Sequence, residues 1–329
     1  MVNEEPLLVT GVPGWLGSRL AATLVGKNRN VRCLVMMGSN TRLLEIAGTE
    51  IVEGDILDKK SLELAVKDVR TVFHCAGVIH PKRPKDFYRI NRDGTENMLE
   101  ACTAAGVDTF IYVSSNSAQG YNRKRNILMT EDGPENPYTD YGKGKLQAER
   151  LVRKFHISGK IRTTIVRPCW FYGPRPPERM IKLIRMIRDG RPLFFGDGHN
   201  LRSMTYIDNL VDALLLIENN PKSDGQTYWI ADERPYETIE IYRTIADYFG
   251  VRLRPRYIPG FISRVMEKAD IVLGNFGIYE INIHVAGEMA RNIACSIEKA
   301  KRELGYMPRF EIKEGMKRTI QWCQEMGLL

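Results

Sequence analysis

The run Tyr141-Gly142-Lys143-Gly144-Lys145 sets a phenol and an ammonium four residues apart. On a helix, that spacing puts both on one face. A phenol with a pKa near about 10 is a poor base at neutral pH. A neighbouring ammonium stabilises the phenolate and lowers that value. Such a tyrosine can take a proton from a secondary alcohol as hydride leaves, or return it in the reverse direction. Upstream, Ser114-Ser115 closes a strand-like run. A hydroxyl there can hydrogen-bond the reacting oxygen, or simply satisfy its own strand end.

A second constellation lies near the N-terminus, at Thr10-Gly11-Val12-Pro13-Gly14-Trp15-Leu16-Gly17. Glycines three residues apart, after a strand and opening a helix, permit positive φ and close backbone approach. Free N–H groups at the helix start suit a pyrophosphate. An NAD site usually places an acid at the end of the next strand. Here that strand ends Leu34-Val35-Met36-Met37-Gly38-Ser39-Asn40, with no acid. The missing acid removes repulsion against a 2′-phosphate and leans to NADP. Arg32 and Arg42 are the nearby cations. NAD and NADP both stay open. Asp55 follows a third strand and either accepts a hydrogen bond from an adenine amino group or caps a turn.

The elements that would carry these residues alternate. Short apolar runs at 7–9, 31–35, 51–52, 72–73, 110–113 and 163–166 read as buried strands. Helical spacing is found at 15–25, 94–105 and 141–155. Strands alternating with helices predict a parallel sheet covered on both faces, an α/β doubly wound Rossmann-type fold. The prolines at 174, 176 and 177 mark a loop leaving the sheet. A helix is predicted at 178–189, one more strand at 227–230, and mainly helix from 236 onward. The predicted organisation is discontinuous. Residues 1–173 and 203–231 form the dinucleotide-binding domain, and 174–202 and 232–329 form a smaller, mainly helical substrate domain.

Composition agrees with a globular protein. Hydrophobic residues make up 43% and charged residues 27%, which excludes a mostly disordered chain. The net charge of +8 is spread among acids without a dense basic run, so no nucleic-acid partner is expected. The six cysteines include no CxxC pair and suggest no metal site. No long uncharged apolar stretch predicts a spanning helix. The opening MVNEEPLL lacks a signal-peptide layout, and a cytoplasmic location is expected.

Taken together, these residues resemble the extended short-chain dehydrogenase/reductase family, also described as the NAD-dependent epimerase/dehydratase family. The resemblance rests on TGVPGWLG at 10–17, GDILD at 54–58, VFHCAG at 72–77, NRDGTEN at 91–97, YVSS at 112–115, YGKGK at 141–145 and RPCWFYGP at 167–174. It continues through RSMTYIDNLVDA at 202–213 and KAKRELGYMPRF at 299–310. It implies a catalytic set of Ser115, Tyr141 and Lys145. Tyr141 would be the acid/base and Lys145 its tuning and ribose-binding partner. For the cofactor it implies Gly11, Gly14, Trp15, Leu16, Gly17, Asp55, Ile56, Ala76, Gly77, Ser114, Tyr141, Lys145 and Pro168. The family more often has two alanines where Ala76 and Gly77 stand. For the substrate it implies Asn91, Ser115, Tyr141 and Arg202. Dehydratase members carry an acidic pair where this chain has Asn116 and Ser117, which argues against sugar dehydration.

Two substrate classes compete. Residues 175–202 carry seven Lys or Arg against three acids. Arg202 matches an arginine that grips the diphosphate in nucleotide-sugar epimerases, a task suited to its planar fork. That favours C4 epimerisation or keto reduction of a nucleotide sugar. Against this, residues 258–274 and the LGYMPRF ending look like 3β-hydroxysteroid dehydrogenase-like members, which act on bulky hydrophobic alcohols and ketones. Phe261, Ile262, Val265, Met266, Ile271, Val272 and Leu273 would cover a hydrophobic pocket, touch a membrane surface, or face the core. A non-catalytic dinucleotide-binding sensor or scaffold is a third reading, disfavoured by the intact Ser115, Tyr141 and Lys145. The resemblance also implies a homodimer paired through the helices at 94–105 and 141–155.

Overall fold

A computed structural model describes residues 5–46 and 48–329. Seven strands form one parallel sheet: β1 (Leu7–Val12), β2 (Val31–Val35), β3 (Glu50–Glu53), β4 (Thr71–His74), β5 (Thr109–Val113), β6 (Arg162–Pro168) and β7 (Thr227–Ile230). Their spatial order is β7-β6-β5-β4-β1-β2-β3. The order reverses between β1 and β4, and the carboxyl ends of the strands open there. In doubly wound sheets that crevice is where ligands bind.

Seven helices matter for the site: α1 (Trp15–Gly26), α2 (Gly94–Ala105), α3 (Asp140–Ile157), α4 (Glu178–Arg188), α5 (Ile207–Glu218), α6 (Gly260–Asn275) and α7 (Ile281–Glu288). Alternating strand residues are buried on both faces. Val9 and Phe73 pack toward α1 and α5, whereas Leu8 and Val72 pack toward α2 and α3. A third core joins Tyr172, Ile184, Phe194, Tyr206, Tyr242 and Met316 away from the sheet. Ile293, Cys295, Ala300 and Tyr306 pack into the sheet-facing core rather than the third one.

Several local choices explain the element ends. Thr139 caps α3, its Oγ1 accepting from the Gly142 N–H at 3.1 Å. α2 ends at Gly106, whose left-handed φ of +74° suits glycine. The residues just before α2, Arg89–Asp93, form a π-helical turn, a feature common near functional sites. No described helix is long and apolar enough to cross a membrane.

Candidate active site

The glycine turn is built for close approach. Gly11 has φ +77°, and a Cβ there would sit 2.6 Å from the Cys75 carbonyl carbon. A Cβ at Gly14 or Gly17 would each meet the Gly11 carbonyl oxygen at 2.6 Å. Gly14 N-caps α1 without a side-chain cap. Among the described residues, the N–H groups of Trp15, Leu16 and Gly17 therefore have no acceptor. Free donors at the positive end of a helix, with no Cβ in the way, fit the pyrophosphate of a dinucleotide. Leu16 anchors the helix in the core, and the Trp15 indole N–H donates to the Pro174 carbonyl at 2.7 Å. Trp15 thus ties α1 to the chain where it leaves the sheet.

The remaining cofactor candidates end or follow strands of the sheet at their carboxyl ends. Asp55 follows β3. One of its carboxylate oxygens accepts from the Leu57 N–H at 2.9 Å, so it also shapes its own turn. Ile56 is buried under α2, where a Cβ on Gly94 would meet it at 2.6 Å. Ala76 and Gly77 follow β4, and Pro168 ends β6 beside Ile230 of β7. A Cβ on Gly77 would meet Asn91 Oδ1 at 2.8 Å and Lys145 Nζ at 3.3 Å. An alanine at 77 would therefore make the Asn91 and Lys145 side chains shift. Arg32 is engaged by its neighbours. It pairs with Glu50 at 2.9 Å and donates to the Ala65 and Lys67 carbonyls.

α3 presents Tyr141 and Lys145 to the crevice, as the four-residue spacing requires. Tyr141 is half-buried, and desolvation raises its pKa; hydrogen bonding with Ser115 and the charge of Arg179 pull it down, and Glu288 pushes it up. Ser115 also caps the turn after β5, its Oγ accepting from the Ser117 N–H at 3.2 Å. The Lys145 ammonium donates to the Val113 carbonyl at 2.9 Å. Burial lowers its pKa to about 8, with Cys75 and Glu149 acting the other way. Ser115, Tyr141 and Lys145 thus converge at the ends of β5 and α3.

Two of the candidate residues have side chains engaged within the protein. The Asn91 side chain is turned to the loop after β4. It is fully buried and clamps Val78, accepting from its N–H at 2.8 Å and donating to its carbonyl at 3.0 Å. Asn91 is a positioning residue for the loop after β4. The Ser114 hydroxyl is likewise committed, donating to Glu149 Oε1 at 2.6 Å.

Sequence reasoning missed the groups behind the site. Glu149 also pairs with Arg167 at 2.6 Å, both side chains fully buried. Glu149 lies one turn beyond Lys145 and Arg167 directly precedes Pro168, so the helical period was a usable signal. His74 is fully buried and bridges Thr10 and Thr95, at 3.0 and 3.2 Å. Thr10 Oγ1 accepts from the Ala76 N–H, and Thr95 Oγ1 donates to the Asn91 carbonyl. His74 therefore accepts at Nδ1 and donates at Nε2. Burial, helped by Lys145, holds its pKa down at about 3, so it stays neutral.

Arg202 is buried and lies over the Trp170 ring, 4.1 Å from its centroid. One Nη donates to the Glu288 and Met289 carbonyls at 2.8 and 3.0 Å. Its Nε and other Nη are buried without a partner. Burial lowers its pKa. Glu288 links it toward the crevice, because the Tyr138 hydroxyl donates to Glu288 Oε1 at 2.6 Å. A cavity of about 30 Å³ borders Tyr138, Tyr141, Phe87, Asp270, Tyr279 and His284. That is room for about one water, far below the several hundred Å³ of a ligand pocket. α6 and α7 thus close over Tyr141 in this conformation.

Comparison with known proteins agrees with this geometry. Residues 7–231 match the NAD dependent epimerase/dehydratase family. A Sinorhizobium fredii protein named y4nL, of uncharacterised function, is 36% identical over 99% of this chain and 97% of its own length. The UDP-glucose 4-epimerase of Vibrio cholerae is 27% identical over 96% of this chain and 95% of its own length. The solved structure of MoeE5 in complex with UDP-glucuronic acid and NAD is 26% identical. It superposes with a TM-score of 0.76, covering 98% of this chain and 99% of that one. By the glycine cradle, the crevice constellation and these matches, the chain belongs to the NAD-dependent epimerase/dehydratase family, the extended short-chain dehydrogenases/reductases.

Proposed function

We propose that this protein is an NAD(P)-dependent enzyme that transfers hydride at a secondary alcohol or ketone of a nucleotide sugar, with C4 epimerisation as the leading reaction. The observation that carries the substrate class is the buried, half-partnered guanidinium of Arg202. A buried donor without an acceptor costs about 1–3 kcal/mol, and a charged one more. A diphosphate oxygen is the acceptor that matches its planar fork and charge. Trp170 holds the fork flat from one side.

The dinucleotide, when bound, supplies a hydride acceptor and donor. Gly11, Gly14 and Gly17 admit its pyrophosphate to the N–H groups of α1, and Lys145 lies where it can hold a ribose. Tyr141 takes the proton of the substrate hydroxyl and returns it in the reverse step. Ser115 hydrogen-bonds the reacting oxygen in both directions. For epimerisation, the keto sugar must turn its other face to the returning hydride while Arg202 keeps hold of the diphosphate. Asn91 and Glu149 fix the loop and strand ends around these atoms. With Arg32 occupied by Glu50, NAD is the cofactor we assign.

Titration calorimetry with UDP tests the substrate class. Arg202→Lys keeps the charge and loses the fork. It is expected to weaken UDP binding at least about tenfold, while NAD affinity stays unchanged. Equal UDP affinity in the two proteins would remove Arg202 from the diphosphate site and with it the nucleotide-sugar assignment.

A further inference from the structure

α6 is turned inside out. Its polar residues face the protein: Ser263 Oγ donates to the Ala286 and Gly287 carbonyls at 2.7 and 2.9 Å. Glu267 pairs with Arg291 at 2.6 Å, and Asp270 with His284 at 2.8 Å. These two acids are only 13% and 14% exposed. A Cβ on Gly287 would lie 3.0 Å from the Glu267 backbone, so α6 and α7 are in close contact. The opposite face carries Phe261, Val265, Val272 and the C-cap Phe276, at 59%, 53%, 53% and 78% exposure. Spacings of 4, 7 and 4 residues align them along one helix face. A solvent-facing helix normally shows the reverse arrangement.

The charges on the outer face point to what covers it. Arg264 and Lys268 stand among the apolar residues and are exposed. Neither has an acidic partner among the described residues. The helix's only acids, Glu267 and Asp270, are the two turned inward and paired. An apolar stripe carrying cations and no anions matches an interface of acyl chains beneath negative headgroups. A second copy of the same face would bring like charges together.

We propose that the outer face of α6 docks this protein onto an anionic lipid surface. Phe261, Val265, Val272 and Phe276 enter the headgroup boundary, and Arg264 and Lys268 meet lipid phosphates. The helix lies in the membrane plane and does not cross it. Its inner side contributes Asp270 and Gly274 to the wall of the cavity at Tyr141. Docking therefore sets the closure over Tyr141 at the lipid surface, whichever substrate the crevice takes.

Vesicle flotation of the full chain tests this. The probes are pure phosphatidylcholine vesicles and vesicles of equal parts phosphatidylcholine and phosphatidylglycerol. The intact protein is expected to float with the mixed vesicles and to be released by high salt. Val265→Glu/Val272→Glu is expected to cut the floated fraction at least about tenfold with an unchanged melting temperature. Arg264→Glu/Lys268→Glu, a surface-charge change alone, is expected to abolish the preference for the mixed vesicles. The proposal is overturned if the intact protein stays in solution with both vesicles, or if neither double variant changes flotation. It is also overturned if sedimentation shows a dimer that Val265→Glu/Val272→Glu dissolves while no vesicle is bound.

Discussion

Lys145 and Tyr141 lie one turn apart on α3, yet the ammonium donates to the Val113 carbonyl at 2.9 Å and the phenol pairs with Ser115. In this conformation burial, Ser115, Arg179 and Glu288 set the basicity of Tyr141. The lysine bolts α3 to the end of β5 and holds its charge at the cofactor crevice.

That bolt has a pH signature. Burial keeps the folded pKa of Lys145 at about 8, below the value of roughly 10.4 expected unfolded. Between those values the unfolded chain binds more protons, so stability gains from this group as pH rises. Lys145→Met removes that contribution. Urea unfolding from pH 7 to about pH 10 should show the intact protein gaining on the variant across this window. Parallel stability curves would show that Lys145 is not held at a lowered pKa.

Gly11→Ala tests the cradle. The added Cβ would meet the Cys75 carbonyl at 2.6 Å in a left-handed conformation. A loss of about 1–3 kcal/mol in stability is expected, together with a marked fall in NAD affinity. NAD binding at full strength in a folded Gly11→Ala protein would place the dinucleotide elsewhere.

Glu149→Ala strips Arg167 of its close, fully buried partner, leaving Glu135 at 3.6 Å, and frees the Ser114 hydroxyl. Denaturant unfolding should record a loss of about 3 kcal/mol, since removing one partner of a buried pair leaves the other charge poorly compensated. Arg153 also reaches Glu149, at 2.9 Å, from the half-exposed side. Arg153→Ala should therefore cost less than about 1 kcal/mol. A similar cost for both substitutions would contradict the assignment of Arg167 as the critical partner.

The parts legible in the sequence were those set by local period and by glycine chemistry. Gly94–Ala105 and Thr227–Ile230 occupy the predicted ranges, and the strand at 163–166 grows only to Arg162–Pro168. What lay beyond the sequence depends on side chains meeting across the chain. The family resemblance offers Asn91 for the substrate side, whereas its clamp on Val78 is a tertiary contact that no local pattern shows. His74 stood in VFHCAG without a visible partner, because Thr10 and Thr95 approach it from β1 and α2. The stretch 258–274 showed an amphipathic period, but not that its polar stripe would face inward.

The most direct test is to add UDP-glucose to the NAD-loaded protein and to its Tyr141→Phe variant, following the absorbance of NADH and the C4 configuration of the sugar. The intact protein should form a transient NADH band and return UDP-galactose. The variant should bind both ligands with turnover reduced by about two to four orders of magnitude. Undiminished turnover in Tyr141→Phe, or no NADH in an intact protein shown to hold both ligands, would contradict hydride transfer at this site.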